Sequence, residues 1–265
     1  MRVSIWEDKG LLIFCCCVAA ALGAVFGSFL NCAAWRIAHG ESFLKGRSRC
    51  PSCGRALEPV DLIPIFSWLF LRGRCRRCKA KISVRYPLTE LGFAVLTVLC
   101  LLRFDLTVLC LRNWVFLCCL FCLSLVDLES YTIPDGTLVI AALAWALALP
   151  FLWEGWAAAG RQVLAGLVFG GGILLLSLLL DKILKKESLG GGDVKLFAVC
   201  GLYLGFVGSL FAMLLACLLG LLLGRLRRAE SGQPIPFGPA IALAAALVLL
   251  YGEGAIRWYL GLLGA

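Results

Sequence analysis

Two aspartates stand at the ends of apolar segments and could form a catalytic pair. Asp127 closes an apolar run in LSLVDLESYTIPDG, and Asp193 lies between three glycines and another apolar run in LGGGDVKLFAV. Carboxylates inside a membrane or at its edge are costly and indicate a functional site by default. If helix packing brings the two together, one can act as general base toward a water and the other as general acid toward the substrate. The pair therefore predicts peptide hydrolysis without a covalent intermediate.

The glycines before Asp193 bear on how a substrate would reach it. Gly190, Gly191 and Gly192 have no side chains, so a substrate strand could approach the carboxylate closely along this stretch. The alternative is that these glycines form an ordinary flexible turn and that Asp193 is a helix N-cap. The motif alone does not decide between the two interpretations.

Two further acids near apolar segments have simpler interpretations. Asp135 lies between Pro134 and Gly136, which predicts a turn and an N-cap for the helix that follows. Glu90 comes in the first turn after Pro87, where the helix dipole favours an acid. The spacing supports no further role for either residue.

Four of the 15 cysteines form a pattern of their own. Most of the others lie in apolar runs and pack as small hydrophobic residues. CPSC and CRRC are two C-x-x-C knuckles, which is the ligand spacing of a four-thiolate structural zinc site. A redox pair and paired disulfides are alternatives, and the reducing cytoplasmic side assigned below disfavours both. The predicted ligands are Cys50, Cys53, Cys75 and Cys78.

Other hydrolytic chemistry finds little support in the chain. The only histidine is His39, in a basic segment, so a serine–histidine dyad within the membrane is implausible. The H-E-x-x-H pattern of zinc peptidases is absent, as are a P-loop and a dinucleotide-binding glycine pattern. Aspartyl chemistry is what remains.

The elements that must position these residues are membrane helices. The chain is 62% hydrophobic and 15% charged, far from the composition of a soluble domain. Apolar runs of about 20 residues can cross a bilayer as helices. The run that begins at Leu11 extends past Phe29 without a clear cleavage site, so we expect a retained span. The predicted spans are 11–35, 88–102, 107–126, 137–153, 162–180, 194–208, 209–224 and 238–252, with a short ninth or interfacial segment at 255–264.

The basic residues predict the orientation of these spans. Residues 36–87 carry twelve Lys and Arg against three acids, so this loop should be cytoplasmic. Alternation then places the N-terminus outside and the segments 127–136, 181–193 and 225–237 inside. Both aspartates thus open toward the cytoplasm. The net charge of +9 follows from this topology, and no nucleic-acid partner is needed to explain it.

The fold class that follows is an all-α polytopic membrane protein. We expect about eight transmembrane helices and a small zinc-stapled cytoplasmic loop domain. The predicted organisation is a first span at 1–35, a four-cysteine domain at 36–87 and a membrane-embedded aspartyl peptidase domain at 88–265.

Five segments resemble one known family nearly end to end. GGGDVKL is similar to the GxGD signature of membrane aspartyl proteases, and the whole chain resembles the bacterial type IV prepilin peptidases. The block from Cys50 to Glu90 is the most distinctive of the matching segments. They are GSFLNCAAWRI (27–37), that cysteine-rich block (50–90), VDLESYTIPD (126–135), LGGGDVKL (189–196) and IPFGPAIALA (235–244).

The resemblance implies more than the residue spacing does. It implies that Asp127 and Asp193 are the catalytic pair and that the four knuckle cysteines bind zinc. Members of the family cleave the short basic leader of prepilins or pseudopilins at the cytoplasmic face of the cell membrane. Many then methylate the new N-terminus with S-adenosylmethionine, and retention of the cysteine-rich region favours this second activity. No binding site for the methyl donor is evident in the sequence.

One other class of function stays open from the residues alone. The chain could be a non-catalytic membrane scaffold or a transporter with a structural zinc loop, in which the aspartates carry ions or protons. A transporter would be expected to place polar residues near the middle of the membrane and to show repeated halves. Here the carboxylates come at span ends, and no internal repeat is visible.

Overall fold

The computed structural model describes residues 5–42, 46–152, 155–185, 189–226 and 236–262. Within these ranges the regular structure is helical, with two isolated β-bridges, which confirms the predicted all-α class. A 3-10 helix at Pro59–Leu62 accompanies eight α-helices. These are α1 (Lys9–Ala38), α2 (Phe66–Phe70), α3 (Arg85–Phe104), α4 (Val108–Ser130), α5 (Asp135–Ala148), α6 (Trp156–Leu184), α7 (Gly191–Leu226) and α8 (Gly238–Leu262).

Six of these helices are long and apolar enough to cross a membrane, namely α1, α3, α4, α6, α7 and α8. The fourth predicted span corresponds to α5, which is apolar but has only 14 residues. The segment from residue 255 is a continuation of α8 as far as Leu262, so the structure gives it no separate helix. The basic residues Lys186, Arg227 and Arg228 of the predicted inner loops lie outside the described residues.

The chain forms two compact units, Met1–Cys110 and Leu111–Ala265. In the first unit, α1 packs along α3 through small residues. A Cβ added at Gly23 would lie 2.7 Å from the Ala94 Cα, and one at Gly27 would lie 3.0 Å from the Glu90 Cα. Glycines four residues apart allow membrane helices to approach backbone to backbone. This contact fixes α1 against the end of α3 that carries Glu90.

In the second unit, α6 and the first part of α7 pack in the same manner. A Cβ at Gly170 would lie 2.7 Å from the Ala198 Cβ, and one at Gly201 would lie 2.5 Å from the Gly166 Cα. Residue numbers rise along α7 as they fall along α6, so the two helices are antiparallel. The C-terminal end of α6 therefore lies at the same end of the unit as Asp193.

Helix α7 reverses direction at Gly205. This residue has φ 66° and ψ −173°, which is not helical and which only glycine adopts without strain. A straight helix would separate Gly192 from Gly220 by about 42 Å. Instead Gly192 contacts Ile133, shortly after Asp127, and Gly220 contacts Phe237, next to the residue whose N–H binds Asp127. The two limbs of α7 match the predicted spans 194–208 and 209–224, with the turn three residues earlier than expected.

Candidate active site and metal centre

Asp127 lies in the last turn of α4 and is buried, with 5% of its surface exposed. Its Oδ2 accepts a hydrogen bond of 2.9 Å from the backbone N–H of Gly238, the first residue of α8. The first N–H groups of a helix have no partner within the helix, so they are available to a carboxylate. This contact joins the C-terminal end of α4 to the N-terminal end of α8.

At position 238, only glycine fits beside the Asp127 carboxylate without rearrangement. A Cβ at this position would lie 2.8 Å from Asp127 Oδ2 and 3.2 Å from the carboxyl carbon. Real side chains essentially never approach so closely, so even alanine would displace the carboxylate or the start of α8. The segment IPFGPAIALA (235–244) was noted only as part of the family resemblance, and the structure gives its Gly238 this direct contact with Asp127.

Asp193 lies in the first turn of α7 and is half-buried. Its backbone N–H donates to the Gly190 carbonyl at 3.0 Å, so Gly190 closes the turn that leads into the helix. Asp193 and Asp127 lie close enough for their charges to interact. The structure thus brings together the two aspartates that are 66 positions apart in the sequence.

Two contacts hold the start of α7 against the segment that follows Asp127. Gly192 packs on Ile133, since a Cβ there would lie 2.9 Å from the Ile133 Cβ. Lys195 Nζ forms an ion pair of 2.7 Å with Asp135 Oδ1, although both side chains are largely exposed. A Cβ at Gly191, by contrast, would meet nothing within 4 Å. The three neighbouring glycines therefore have different surroundings.

Asp135 does not cap the helix as the sequence suggested. The N-cap of α5 is Pro134, Asp135 is the first helical residue, and its carboxylate binds Lys195. Proline at this boundary has no N–H to satisfy, and an acid in the first turn still suits the helix dipole. Residues 135 and 136 form the first turn of α5, in which the Thr137 N–H donates to the Pro134 carbonyl at 3.1 Å. The Asp135 side chain connects two helices instead of capping one.

The four knuckle cysteines converge in the first unit. Their Sγ atoms all lie within 4.8 Å of one another, and Cys50 Sγ lies 3.9 Å from Cys78 Sγ. Four sulfurs at 2.3 Å around a tetrahedral zinc would be about 3.8 Å apart. The cluster thus has the ligand type, number and spacing of a possible metal site.

Each knuckle is built from the same backbone bonds. Cys50 N donates to Arg55 O, and Gly54 N donates back to Cys50 O at 2.9 Å. Cys75 N likewise donates to Ala80 O, and Lys79 N to Cys75 O at 3.0 Å. Gly54 and Lys79 occupy equivalent positions, with φ of 68° and 60°. In both knuckles the first cysteine is buried and the second is exposed.

The turns aim backbone N–H groups at the sulfur atoms. The N–H groups of Cys78 and Arg77 lower the pKa of the Cys75 thiol to about 6. Those of Cys53 and Ser52 lower the pKa of the Cys50 thiol. For Cys78 the Ala80 N–H lowers the pKa, but burial and the neighbouring sulfurs outweigh it and raise the value to about 11. Because four thiolates repel one another, the cluster needs a cation to hold them all deprotonated.

Glu90 has a role that its position in the sequence did not indicate. Its side chain is buried, and Oε2 accepts a 2.6 Å hydrogen bond from the backbone N–H of Ile65. Ile65 precedes α2 and has φ 62°, which is unusual for a β-branched residue. Glu90 therefore holds α2 in place from α3. The acid near the start of α3 was a visible signal, but its partner 25 residues away was not.

Comparison with known proteins covers most of the chain. Residues 21–104 match the Bacterial Peptidase A24 N-terminal domain, and residues 114–225 match the Type IV leader peptidase family. No solved structure matches significantly.

Three similar proteins carry the name Prepilin leader peptidase/N-methyltransferase. That of Bacillus subtilis is 36% identical over 248 residues, which is 90% of this chain and 95% of the relative. That of Pseudomonas aeruginosa is 38% identical over 82% of this chain and 76% of the relative. That of Aeromonas hydrophila is 37% identical over 81% of this chain and 74% of the relative. Of the two family matches, the first includes the cysteine-rich region and the second includes both aspartates.

Proposed function

The chain belongs to the type IV leader peptidase family, and we propose that Asp127 and Asp193 are its catalytic pair. The observation that carries this proposal is that the two carboxylates lie close enough for their charges to interact, at the packed ends of α4, α7 and α8. Both lie within the residues that match the family. Its relatives are named prepilin leader peptidase/N-methyltransferases, and the chain is a peptidase of this kind.

The hydrolytic step follows from a pair of carboxylates that shares one proton. The ionised member takes a proton from a water, whose oxygen attacks the carbonyl carbon of the scissile bond. The protonated member gives its proton to the carbonyl oxygen. When the C–N bond breaks, the first carboxyl gives the proton that it took from the water to the leaving amine. A hydroxyl of the tetrahedral intermediate returns a proton to the second carboxylate as the carbonyl re-forms, so the pair regains its starting state. The Gly238 N–H keeps the Asp127 carboxylate in one orientation throughout.

The substrate we propose is the basic leader of a prepilin or pseudopilin. Its scissile bond would reach the pair as an extended segment. Gly190 is exposed and a Cβ there would lie 3.4 Å from Asp193 Oδ2, so the backbone beside the carboxylate is accessible. Gly192 contributes differently, because its missing side chain makes room for Ile133. We propose that Gly190 and Gly192 together shape the approach to Asp193.

We propose that the pair opens to the cytoplasm and that the protein resides in the cell membrane. The support is the excess of Lys and Arg between residues 36 and 87. Single cysteines at Glu41 and Lys185, on a background without native cysteines, should react with an impermeant maleimide from the cytoplasmic side. One at Leu106 should react from the outside. If the cysteine at position 185 reacted only from the outside, the proposed orientation of the site would be wrong.

The cysteine cluster is proposed to hold a structural zinc ion. Four thiolates leave no open coordination position for a water, so the ion would fold the loop and take no part in hydrolysis. We also propose the organisation expected above, with a first span at 1–35, the zinc domain at 36–87 and the peptidase domain at 88–265.

N-methylation of the new N-terminus by S-adenosylmethionine is the second activity we propose, on the basis of the relatives' name. We assign no residues to the methyl donor. Two cavities in the described part of the cysteine loop are lined by Ser67 and by apolar and basic side chains, so their linings offer no carboxylate to a sulfonium ion or to ribose hydroxyls. Transfer of a labelled methyl group to the cleaved product would test this activity.

The peptidase proposal is tested with purified protein in detergent and a prepilin-like peptide that carries its leader. Mass spectrometry should find one cut between the leader and the mature sequence. The same cut should be absent with a variant in which both Asp127 and Asp193 are asparagine. Uncut peptide with folded wild-type protein, or a cut by the double variant, would contradict the assignment.

A further inference from the structure

An exposed apolar cluster lies between the two cysteine knuckles. It consists of Val60, Ile63, Phe66, Leu69 and Phe70, and we call it the α2 patch. All five side chains are exposed, and Phe70 is 83% exposed. These residues lie outside the predicted membrane spans, where an aqueous surface would not carry so many large apolar side chains together.

The patch faces outward because another residue of α2 attaches the helix to its domain. Trp68 Nε1 donates to the Ile82 carbonyl at 3.2 Å. Its ring covers Gly73, where a Cβ would lie 2.8 Å from a ring carbon. With Trp68 fixed against the second knuckle, Phe66, Leu69 and Phe70 are left on the open side of α2.

The patch is also held at the end of a membrane helix. Ile65, directly before α2, donates its N–H to Glu90, which lies in the second turn of α3. Gly27 of α1 packs on the Glu90 backbone at the same place. Because α3 is long and apolar enough to span a bilayer, the bond to Glu90 places the start of α2 beside the N-terminal end of a candidate membrane helix.

Basic side chains adjoin the patch. An open cavity of about 540 Å³ is lined by Phe70, Leu71, Arg72, Arg74 and Lys79. A second cavity, of about 240 Å³, is lined by five apolar side chains together with Ser67 and Arg76, and it shares Phe70 and Leu71 with the first. Apolar surface and positive charge thus meet at one edge of the loop.

We propose that the α2 patch inserts into the bilayer surface and that Arg72, Arg74 and Lys79 bind the headgroups of anionic phospholipids. An interfacial element combines an apolar face with flanking Lys and Arg, which is the arrangement observed here. The bond between Ile65 and Glu90 sets the depth at which this surface meets the bilayer. The proposal is independent of the catalytic pair.

Photo-crosslinking of the full-length protein tests the occupant of the patch. The photoreactive residue p-benzoylphenylalanine replaces Phe70, and the protein is placed in nanodiscs with equal amounts of phosphatidylcholine and phosphatidylglycerol. We expect phospholipid adducts, enriched in phosphatidylglycerol. The same residue at Leu91, which is exposed on α3, supplies a reference for lipid contact. Adducts only with a second protein chain, or no lipid adduct at Phe70 when Leu91 gives one, would overturn the proposal.

Charge variants test the headgroup site. Combined Arg72→Gln and Arg74→Gln should lower the preference for phosphatidylglycerol at least fivefold, since each basic residue near an anionic surface contributes about fivefold. Arg72→Lys with Arg74→Lys keeps the charge and should keep the preference. The matched control is Lys182→Gln with Lys185→Gln, two exposed cations of the second unit. An unchanged preference in the Gln variant, or an equal loss in the Lys variant, would overturn the headgroup assignment.

Discussion

The backbone N–H of Gly238 donates a 2.9 Å hydrogen bond to the carboxylate of Asp127, across 111 positions of sequence. The bond exists because α8 begins where α4 ends, and because glycine leaves no side chain between them. The bond orients Asp127, one member of the proposed catalytic pair, and its donor lies on α8, which supplies neither aspartate.

Gly238→Ala should lower peptidase activity at least tenfold. The added Cβ would lie 2.8 Å from Asp127 Oδ2, so either the carboxylate or the start of α8 must move. A displacement of this size in a catalytic group is enough for such a loss. The measurement is initial cleavage rate on a prepilin-like peptide. Gly254→Ala in the same helix is the control, because its Cβ would meet nothing within 4 Å. Equal activity of both variants would contradict the positioning role.

Asp127→Asn and Asp193→Asn should each lower cleavage at least about 100-fold, because an amide can supply neither the base nor the acidic proton. Membrane insertion and the elution profile in detergent should be unchanged. Asp135→Asn is the matched control, since Asp135 pairs with Lys195 at the surface and should retain substantial activity. Full activity in either of the first two variants would end the aspartyl assignment.

Gly192→Val should reduce cleavage sharply even though both aspartates remain. Its Cβ would lie 2.9 Å from the Ile133 Cβ, so the first turn of α7 and Asp193 with it must shift. Gly191→Ala should have little effect, since that position is open. Rates for the two variants are compared at equal amounts of folded protein. If Gly191→Ala were the more damaging change, the contact with Ile133 would not be the reason.

Purified protein should contain about one zinc per chain, measured by inductively coupled plasma mass spectrometry. Cys50→Ser or Cys78→Ser should lose the metal and loosen the loop, because ligand binding and local folding are one free energy. Cys118→Ser and Cys200→Ser should keep it, since both residues lie in membrane helices outside the sulfur cluster. Stoichiometric zinc in a variant lacking all four knuckle cysteines would refute the site.

Asp61→Asn should speed the loss of zinc to a chelator at pH 7. The Asp61 side chain is 5% exposed and binds Arg76 at 2.7 Å, which ties the 3-10 helix to the second knuckle. Burial raises the pKa of Asp61, but the Arg76 hydrogen bond, the Glu58 N–H and the nearby guanidinium charges outweigh it and lower the pKa below its ordinary 3.8.

The lowered pKa also fixes the sign of the pH dependence. A carboxylate whose pKa is lowered by folding stabilises the folded state at pH values above its ordinary pKa. This contribution disappears as the pH falls through the pKa of the folded state. The difference in the rate of zinc loss between wild type and Asp61→Asn should therefore be largest at pH 5 to 7 and should shrink below about pH 4. Glu58→Gln, whose side chain is 58% exposed, should differ little from wild type at any pH. A difference that grows in acid would contradict the role of the ionised Asp61.

The sequence by itself determined the helical class, the approximate spans and both candidate centres. Apolar runs are recognisable because a bilayer demands about 20 such residues in succession. The cysteine knuckles are equally local, since each pair of ligands is fixed by one turn of four residues, as at Cys50 and Cys53. The two aspartates stood out because a carboxylate in apolar surroundings is rare.

Only the tertiary structure decided how these pieces meet. Three contacts join elements that are far apart in the sequence. They are the hydrogen bond from Gly238 to Asp127, the hydrogen bond from Ile65 to Glu90 and the ion pair of Lys195 with Asp135. In a membrane protein the lipid-facing and buried faces of a helix are both apolar, so periodicity does not reveal which face packs on which neighbour. The reversal of α7 at Gly205 depends likewise on both limbs finding partners, α6 and α8. Close contacts between backbones select these arrangements. The only sign of such contacts in the sequence is a glycine, which does not identify the helix that it contacts.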